Sequence, residues 1–158
     1  MGDREGKRQG KPLTADAFDE SEVCAGPDTR YLIFASNRAG SQHLFRMETD
    51  GSNVRQITFG DSFDSAPDCS PSENLIVYAS RINDQTTIWK ISTDSSNATQ
   101  LTDFECLTPT VSPDGKMIAC IVPSENVVKN ATLTVISADG GGKPLKTFAV
   151  IPFAWNYR

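Results

Sequence analysis

The stretch SFDSAPDCSPSENLIVYASRINDQTTIWKISTDSSNATQLT, Ser62 to Thr102, decides the fold. It opens on a Pro-x-x-Ser-Pro turn (Pro67 to Pro71) and runs into an apolar segment, Leu75–Ala79. An alternating segment (Thr87–Ser92), a polar turn (Thr93–Asn97) and a short end, Gln100-Leu101-Thr102, follow. A near-continuous apolar run suits a strand buried on both faces, and a period of two marks a strand with distinct faces. The same order occurs once before this stretch and once after it.

Working outward, Pro27, Pro71 and Pro113 stand 44 and 42 residues apart. Each sets φ for a turn that Asp, Asn or Asp-Gly completes. Each turn feeds an apolar run: Tyr31–Ala35, Leu75–Ala79 and Met117–Ile121. Polar loops at 36–41, 80–85 and 123–130 separate these from the alternating runs His43–Met47, Thr87–Ile91 and Thr132–Ile136. Turns holding Asp50, Asp94 and Asp139 close the hairpins, and Asp-Gly is a strong hairpin signal. Short outer segments, 54–58, 98–102 and 144–148, end the units. Leu13-Thr14 matches Ile57-Thr58 and Leu101-Thr102 and reads as the end of a preceding unit. Helical periodicity is absent, with at most one turn at Ala15–Glu20, too short to hold alone. The chain is read as all-β.

A period of 40–45 residues with four short strands is the signature of a propeller blade. The third unit, with Leu101-Thr102, Pro109 and Val111-Ser112-Pro113-Asp114-Gly115-Lys116, resembles the TolB-like (WD-repeat-like) β-propeller family. The second unit keeps Pro67 and Cys69-Ser70-Pro71 without Asp-Gly. The first carries Ala35-Ser36-Asn37-Arg38-Ala39-Gly40, similar to the family's Ser-x-Arg-x-Gly loop. The family's tryptophan before Ser-Pro is missing from all three units and recurs only at Trp155, where a fourth unit begins. The expected organisation is a flexible N-terminal tail (1–11), then a propeller domain (12–158) of three four-stranded antiparallel blades, about 13–60, 61–104 and 105–150, plus the start of a fourth (151–158). The resemblance implies six blades. Either two chains complete one ring as a homodimer, or the chain is part of a longer propeller. Leu13, Phe18, Phe153, Trp155 and Tyr157 are the expected junction residues.

Fifteen basic and twenty acidic residues give a net charge of −5. The first eleven residues are net basic, so the remainder stands at −7. That argues against nucleic acid, which needs clustered Lys and Arg, and suits a basic partner, a cation or plain solubility. No apolar run is long enough to span a bilayer, and the polar N-terminus has no signal-peptide h-region. The resemblance implies a periplasmic or extracytoplasmic place, and the chain's own compartment stays open. Cys24, Cys69, Cys106 and Cys120 lack zinc-ligand spacing. Three lie in or beside apolar runs and are expected as small buried hydrophobes, although a disulfide stays open.

Few patterns in the chain could carry chemistry. The segments leading into the second and third blades are acidic, with Asp64 and Asp68 in one and Asp103 and Glu105 in the other. In a propeller they would surround one channel mouth and grip a basic peptide. Their spacing matches no dedicated calcium loop, and loop acids ordinarily cap turns. His43 is expected exposed or edge-facing, and no serine sits in Gly-x-Ser-x-Gly. Gly140-Gly141-Gly142 lies in a hairpin turn with no helix to bind phosphate. Asn97-Ala98-Thr99 and Asn130-Ala131-Thr132 fit the glycosylation pattern, which is common by chance. No metal, cofactor or catalytic set is expected.

The reading is a non-catalytic TolB-like propeller module that binds protein or peptide. The alternative, also implied by the resemblance, is an accessory or sensor propeller of a larger bacterial enzyme, a serine/threonine kinase or a prolyl-oligopeptidase-like peptidase. A propeller sugar lyase is disfavoured by the single histidine.

Overall fold

The computed structural model describes residues 12–14, 17–123 and 131–149. Three four-stranded antiparallel sheets follow one another along the chain. The first holds β1 (Glu20–Ala25), β2 (Tyr31–Ala39), β3 (Ser41–Glu48) and β4 (Arg55–Gln56) in that order. The second holds β5 (Phe63–Cys69), β6 (Leu75–Ile82), β7 (Gln85–Ser92) and β8 (Thr99–Gln100). The third runs β9 (Leu107–Val111), β10 (Met117–Val122), β11 (Thr132–Ser137) and β12 (Lys146–Ala149). Among the described residues the only helical piece is a 3₁₀ turn at Pro27–Thr29. These are propeller blades stacked in series, the middle one packed on both neighbours.

The apolar runs form the central strands, as their patterning requires. Two faces of β6 serve two cores. Ile76 and Tyr78 face the first blade beside Ile33, Leu44, Ile57 and Ile91. Val77 and Ala79 face the third beside Ile88, Leu101, Val111, Ile118 and Ile136. Burying each such side chain contributes roughly 1.5–3 kcal/mol, which is why both faces of this strand are apolar.

The recurring Gln-x-Thr ends have a physical role. Thr58 Oγ1 accepts a hydrogen bond from Leu44 N, and Thr102 Oγ1 accepts one from Ile88 N, both at 2.9 Å. Gln56 and Gln100 each donate to the carbonyl of their own threonine at 2.7 Å. Both threonines are buried. After only two residues of outer strand, a side-chain hydroxyl takes over the backbone partner that the strand would have supplied.

Four expectations are corrected. The segments at 36–41 and 80–85 are strand ends joined by tight turns, not loops; Asn83 and Asp84, both at positive φ, make the second turn. The acidic segment read as a loop before the second blade is largely the innermost strand β5. His43 is 3% exposed rather than edge-facing, because β3 begins at Ser41 and carries it against Asp64. The cysteines are not free: Cys24 is bonded to Cys69 and Cys106 to Cys120. Cys24 and Cys69 stand 45 residues apart, almost one repeat, so they occupy matching places on adjacent innermost strands.

Candidate functional site

The three innermost strands, β1, β5 and β9, line the side of the stack that faces a propeller's channel. Each is interrupted at one place. Glu22, Ala66 and Thr108 have φ of 49°, 47° and 47°, and the pairing with the next strand shifts register beside each of them. None is glycine. Left-handed backbone at such residues costs on the order of 1–3 kcal/mol, and bulges re-aim side chains near binding sites. Repetition of the same strain in all three blades marks this surface as shaped.

A groove of about 380 Å³ runs over these bulges, lined by Glu22, Ala66 and Thr108 together with Phe63 and Arg81. The Arg81 guanidinium lies over the Phe63 ring, 5.0 Å from its centroid. Phe63 is 38% exposed. The Glu22 carboxylate accepts a hydrogen bond from Ala66 N at 2.8 Å, which holds it beside the groove and ties blade one to blade two. The groove thus offers an aromatic face, a cation and an anion within one channel-side surface.

The four acids expected at a channel mouth do not form one ring. Asp64 lies in β5 and is 1% exposed. Its Oδ2 is 3.0 Å from His43 Nδ1, and its Oδ1 accepts from Ser80 Oγ at 2.7 Å. Asp68 Oδ2 accepts from Val111 N at 2.7 Å, joining blade two to blade three as Glu22 joins one to two. Asp103 and Glu105 are exposed on the connection between blades two and three. Of the expected junction residues, Leu13 and Phe18 are about half exposed beside the first blade. Leu13 lines a cleft with Leu32, Phe34 and Met47, and Phe18 lies 6.0 Å from the Arg38 guanidinium. Phe153, Trp155 and Tyr157 lie outside the described residues.

His43, Asp64 and Ser80 have the composition of a hydrolytic triad but not its connectivity. A nucleophilic serine must give its proton to the imidazole; Ser80 gives its hydrogen bond to the carboxylate. The cluster is a buried buckle between blades. Tyr78 stands beside it, and burial, then the Asp64 charge, raises its phenol well above the ordinary range. Among the described residues no group of three or more His, Cys, Asp and Glu is placed to hold a metal ion. No helix there is long and apolar enough to cross a membrane.

Groove, bulged inner strands and serial blades define a β-propeller segment with a channel-side surface. The TolB beta propeller domain model matches residues 4–149, and the chain belongs to that family. The Tol-Pal system protein TolB of Geobacter metallireducens is 47% identical over 47 residues, 30% of this chain and 11% of that protein. A structure described as TolB from Agrobacterium tumefaciens superposes with a TM-score of 0.68 at 19% identity, covering 89% of this chain and 53% of that one. An acylaminoacyl peptidase of Pyrococcus horikoshii gives a TM-score of 0.64 at 12% identity, covering 86% and 25%. The chain therefore spans about half of the TolB structure and a quarter of the peptidase, and both likenesses are of fold.

Residues that sequence reasoning missed as site-forming are Glu22, Phe63, Ala66, Arg81 and Thr108. A signal existed for the bulges. Ala66-Pro67 and Thr108-Pro109 place a proline after the strained residue in successive repeats, and Glu22 is one period earlier.

Proposed function

We propose that the chain is a non-catalytic, TolB-like propeller module that binds an extended protein segment with basic character along the channel-side groove. The observation that carries this reading is the groove over three strained, non-glycine bulges, lined by the Phe63–Arg81 stack and by Glu22. Asp103 and Glu105, exposed one connection away, extend the acidic side of that surface. Asp64 and Asp68 act from beneath it, by holding adjacent blades in register. The Geobacter relative is named as a protein of the Tol-Pal system, which supports a protein partner. The net charge of −7 outside the first eleven residues supports a basic one.

Two disulfides among the described residues support an oxidising compartment such as the periplasm. The outward face of blade three supports a second copy, or further blades, closing the ring. Met117 is 47% exposed there, and Ala119, Ile121, Leu133 and Val135 are only half-buried. Sedimentation across concentrations separates the two: a dimer supports ring completion, and a monomer throughout leaves further blades as the cover. The peptidase likeness favours a second reading, an accessory propeller of a larger enzyme.

The test of the binding reading is selection of peptides from a random library on the immobilised full chain. Basic peptides are expected, with affinity falling at least tenfold in Phe63→Ala and Glu22→Gln. Peptides that bind both variants undiminished would place the site elsewhere.

A further inference from the structure

The two end faces of the stack are unequal. Strand register aligns the blades position by position. Leu44, Ile88 and Leu133 correspond, and so do the outer-strand residues that pair with them, Ile57, Leu101 and Phe148. In blades one and two these residues face the next blade and are at most 2% exposed. In blade three Leu133 is half-buried and Phe148 is 50% exposed. Ala119 and Ile121, in the register of the fully buried Ile33 and Ala35, are half-buried as well. Blade three thus presents one half of a seam.

The opposite end is already covered. No blade precedes blade one among the described residues, yet Phe34, Phe45 and Met47 are at most 6% exposed. The chain itself shields them. The Arg38 guanidinium lies over the Phe34 and Phe45 rings at 5.2 and 5.1 Å, within cation–π range. Phe18 lies on the same guanidinium, and Leu13 lines the cleft over Leu32 and Met47. Asp19, next to Phe18, exchanges two hydrogen bonds with the Asn37 side chain, at 3.1 and 3.2 Å.

Leu13 fills a seat that recurs at both seams. The cross-strand pairs Leu32–Met47, Ile76–Ile91 and Ile118–Ile136 are equivalent. Ile57 of blade one packs in one cluster with the second pair, and Leu101 of blade two with the third. Leu13 takes the same place against the first pair. The adjoining turns agree. Leu101 lies beside Gly140, and the Leu13 carbonyl lies so close to Gly51 that a Cβ there would stand 2.6 Å from it. Phe148 is the blade-three counterpart of Ile57 and Leu101, and the seat it would take on blade one is occupied. A close-packed seat cannot hold both side chains.

We propose that Leu13 and Phe18 form a displaceable strap that competes with a second copy for the first face of blade one. When Leu13 leaves, Phe148 of the second copy enters, and reciprocal docking closes six blades about a two-fold axis. A polar contact follows the same alignment. Arg55 donates to the Thr93 carbonyl across the first seam at 3.0 Å. Lys146 stands at the register of Arg55, and exposed Thr49 stands at the place of Thr93, so this bond can form between copies. The proposal rests on the second-copy form of the ring reading and on none of the groove residues.

The experiment is sedimentation equilibrium of the full chain over a range of concentrations. The parent is expected to dimerise weakly, and the variant carrying Leu13→Ser and Phe18→Ser to form a discrete dimer at least tenfold more tightly. Adding Phe148→Asp to that variant is expected to reverse the gain. A parent that dimerises as tightly as the strap variant overturns the strap and leaves the second-copy ring standing. A strap variant that stays monomeric at every concentration overturns both. Association that survives Phe148→Asp, or that runs on past the dimer, puts a different surface on blade one and overturns the proposal. Should the double variant lose its fold, Leu13→Ser alone decides by the same outcomes.

Discussion

The two seams of the stack are built differently. Between blades one and two the joint is covalent and polar: the Cys24–Cys69 bond, the Glu22 link to Ala66, and the buried His43–Asp64–Ser80 buckle. Between blades two and three there is no covalent link among the described residues. The joint there rests on the apolar cluster around Val77, Ile88, Leu101, Ile118 and Ile136, with Asp68 reaching Val111 N and Lys90 Nζ reaching the Ala138 carbonyl at 2.6 Å. The second disulfide, Cys106–Cys120, lies within blade three and stiffens that blade rather than the joint. The difference teaches that equivalent positions in a repeat need not be held by equivalent chemistry. The seam with a buried histidine–carboxylate pair is tied by a disulfide, and the seam built around an apolar cluster is not, among the described residues.

The comparison can be broken at several strengths. Replacing Cys24 and Cys69 by serine opens a loop spanning a sequence separation of 45 and should cost about 4 kcal/mol by the chain-entropy estimate. Urea unfolding would measure it, and hydrogen exchange should show lost protection in β1 and β5 but not in β9. The same change at Cys106 and Cys120, a separation of 14, should cost about 3 kcal/mol and leave the first seam protected. If both pairs loosen the same amides, the seams are not independent. Ile88→Ala removes a fully buried side chain from the apolar seam and should cost roughly 2–5 kcal/mol, whether or not the protein is reduced.

Asp64→Ala strands two buried partners and should cost about 2 kcal/mol. A double-mutant cycle with His43→Ala should then give strong coupling, whereas additive effects would dissolve the buckle. The smallest effect is expected from acid. Serine hydroxyls and backbone N–H groups bond the carboxylates of Asp50, Asp94 and Asp114 and hold them below the usual carboxylate value. Their contribution is present above the unfolded value near 3.8 and is lost as pH falls through the lower folded values. Because one lies in a turn of each blade, acid should weaken all blades slightly and leave the contrast between seams unchanged. Thermal midpoints of Asp94→Asn and the parent between pH 5 and pH 2.5 would test this, with the gap expected to close at the acid end.

The central strands were legible because Tyr31–Ala35, Leu75–Ala79 and Met117–Ile121 must be apolar to fill two cores at once. Hairpin turns were legible from Asp50, Asp94 and Asp139, and the Pro113 turn from Asp114; the carboxylates of Asp50, Asp94 and Asp114 bond nearby backbone N–H groups. The innermost strands were not. Phe63-Asp64-Ser65-Ala66-Pro67-Asp68-Cys69 carries two acids and a proline and reads as a loop. An inner strand pairs along one edge only, so it tolerates proline and charge that a central strand would not. For the same reason Asp64 and Asp68 looked like solvent-facing acids, although both are spent on the neighbouring blade. Asp103 and Glu105, with no such partner segment, are exposed. Periodicity reports which residues share a face and is silent about which polar groups will find each other across a seam. His43 and Asp64, 21 residues apart and in different blades, were therefore out of its reach.

The Cys24–Cys69 bond also has a mechanical consequence. If the chain were pulled from its two ends, force would pass through the sulfur bridge and bypass everything between its anchors. Some 45 residues would be held out of the load path, on the order of 150 Å of contour that cannot be released until the bridge is cut. The first hairpin and the connection to blade two would be shielded from tension, while the chain beyond Cys69, apart from the smaller loop closed by Cys106–Cys120, would carry it and pay out.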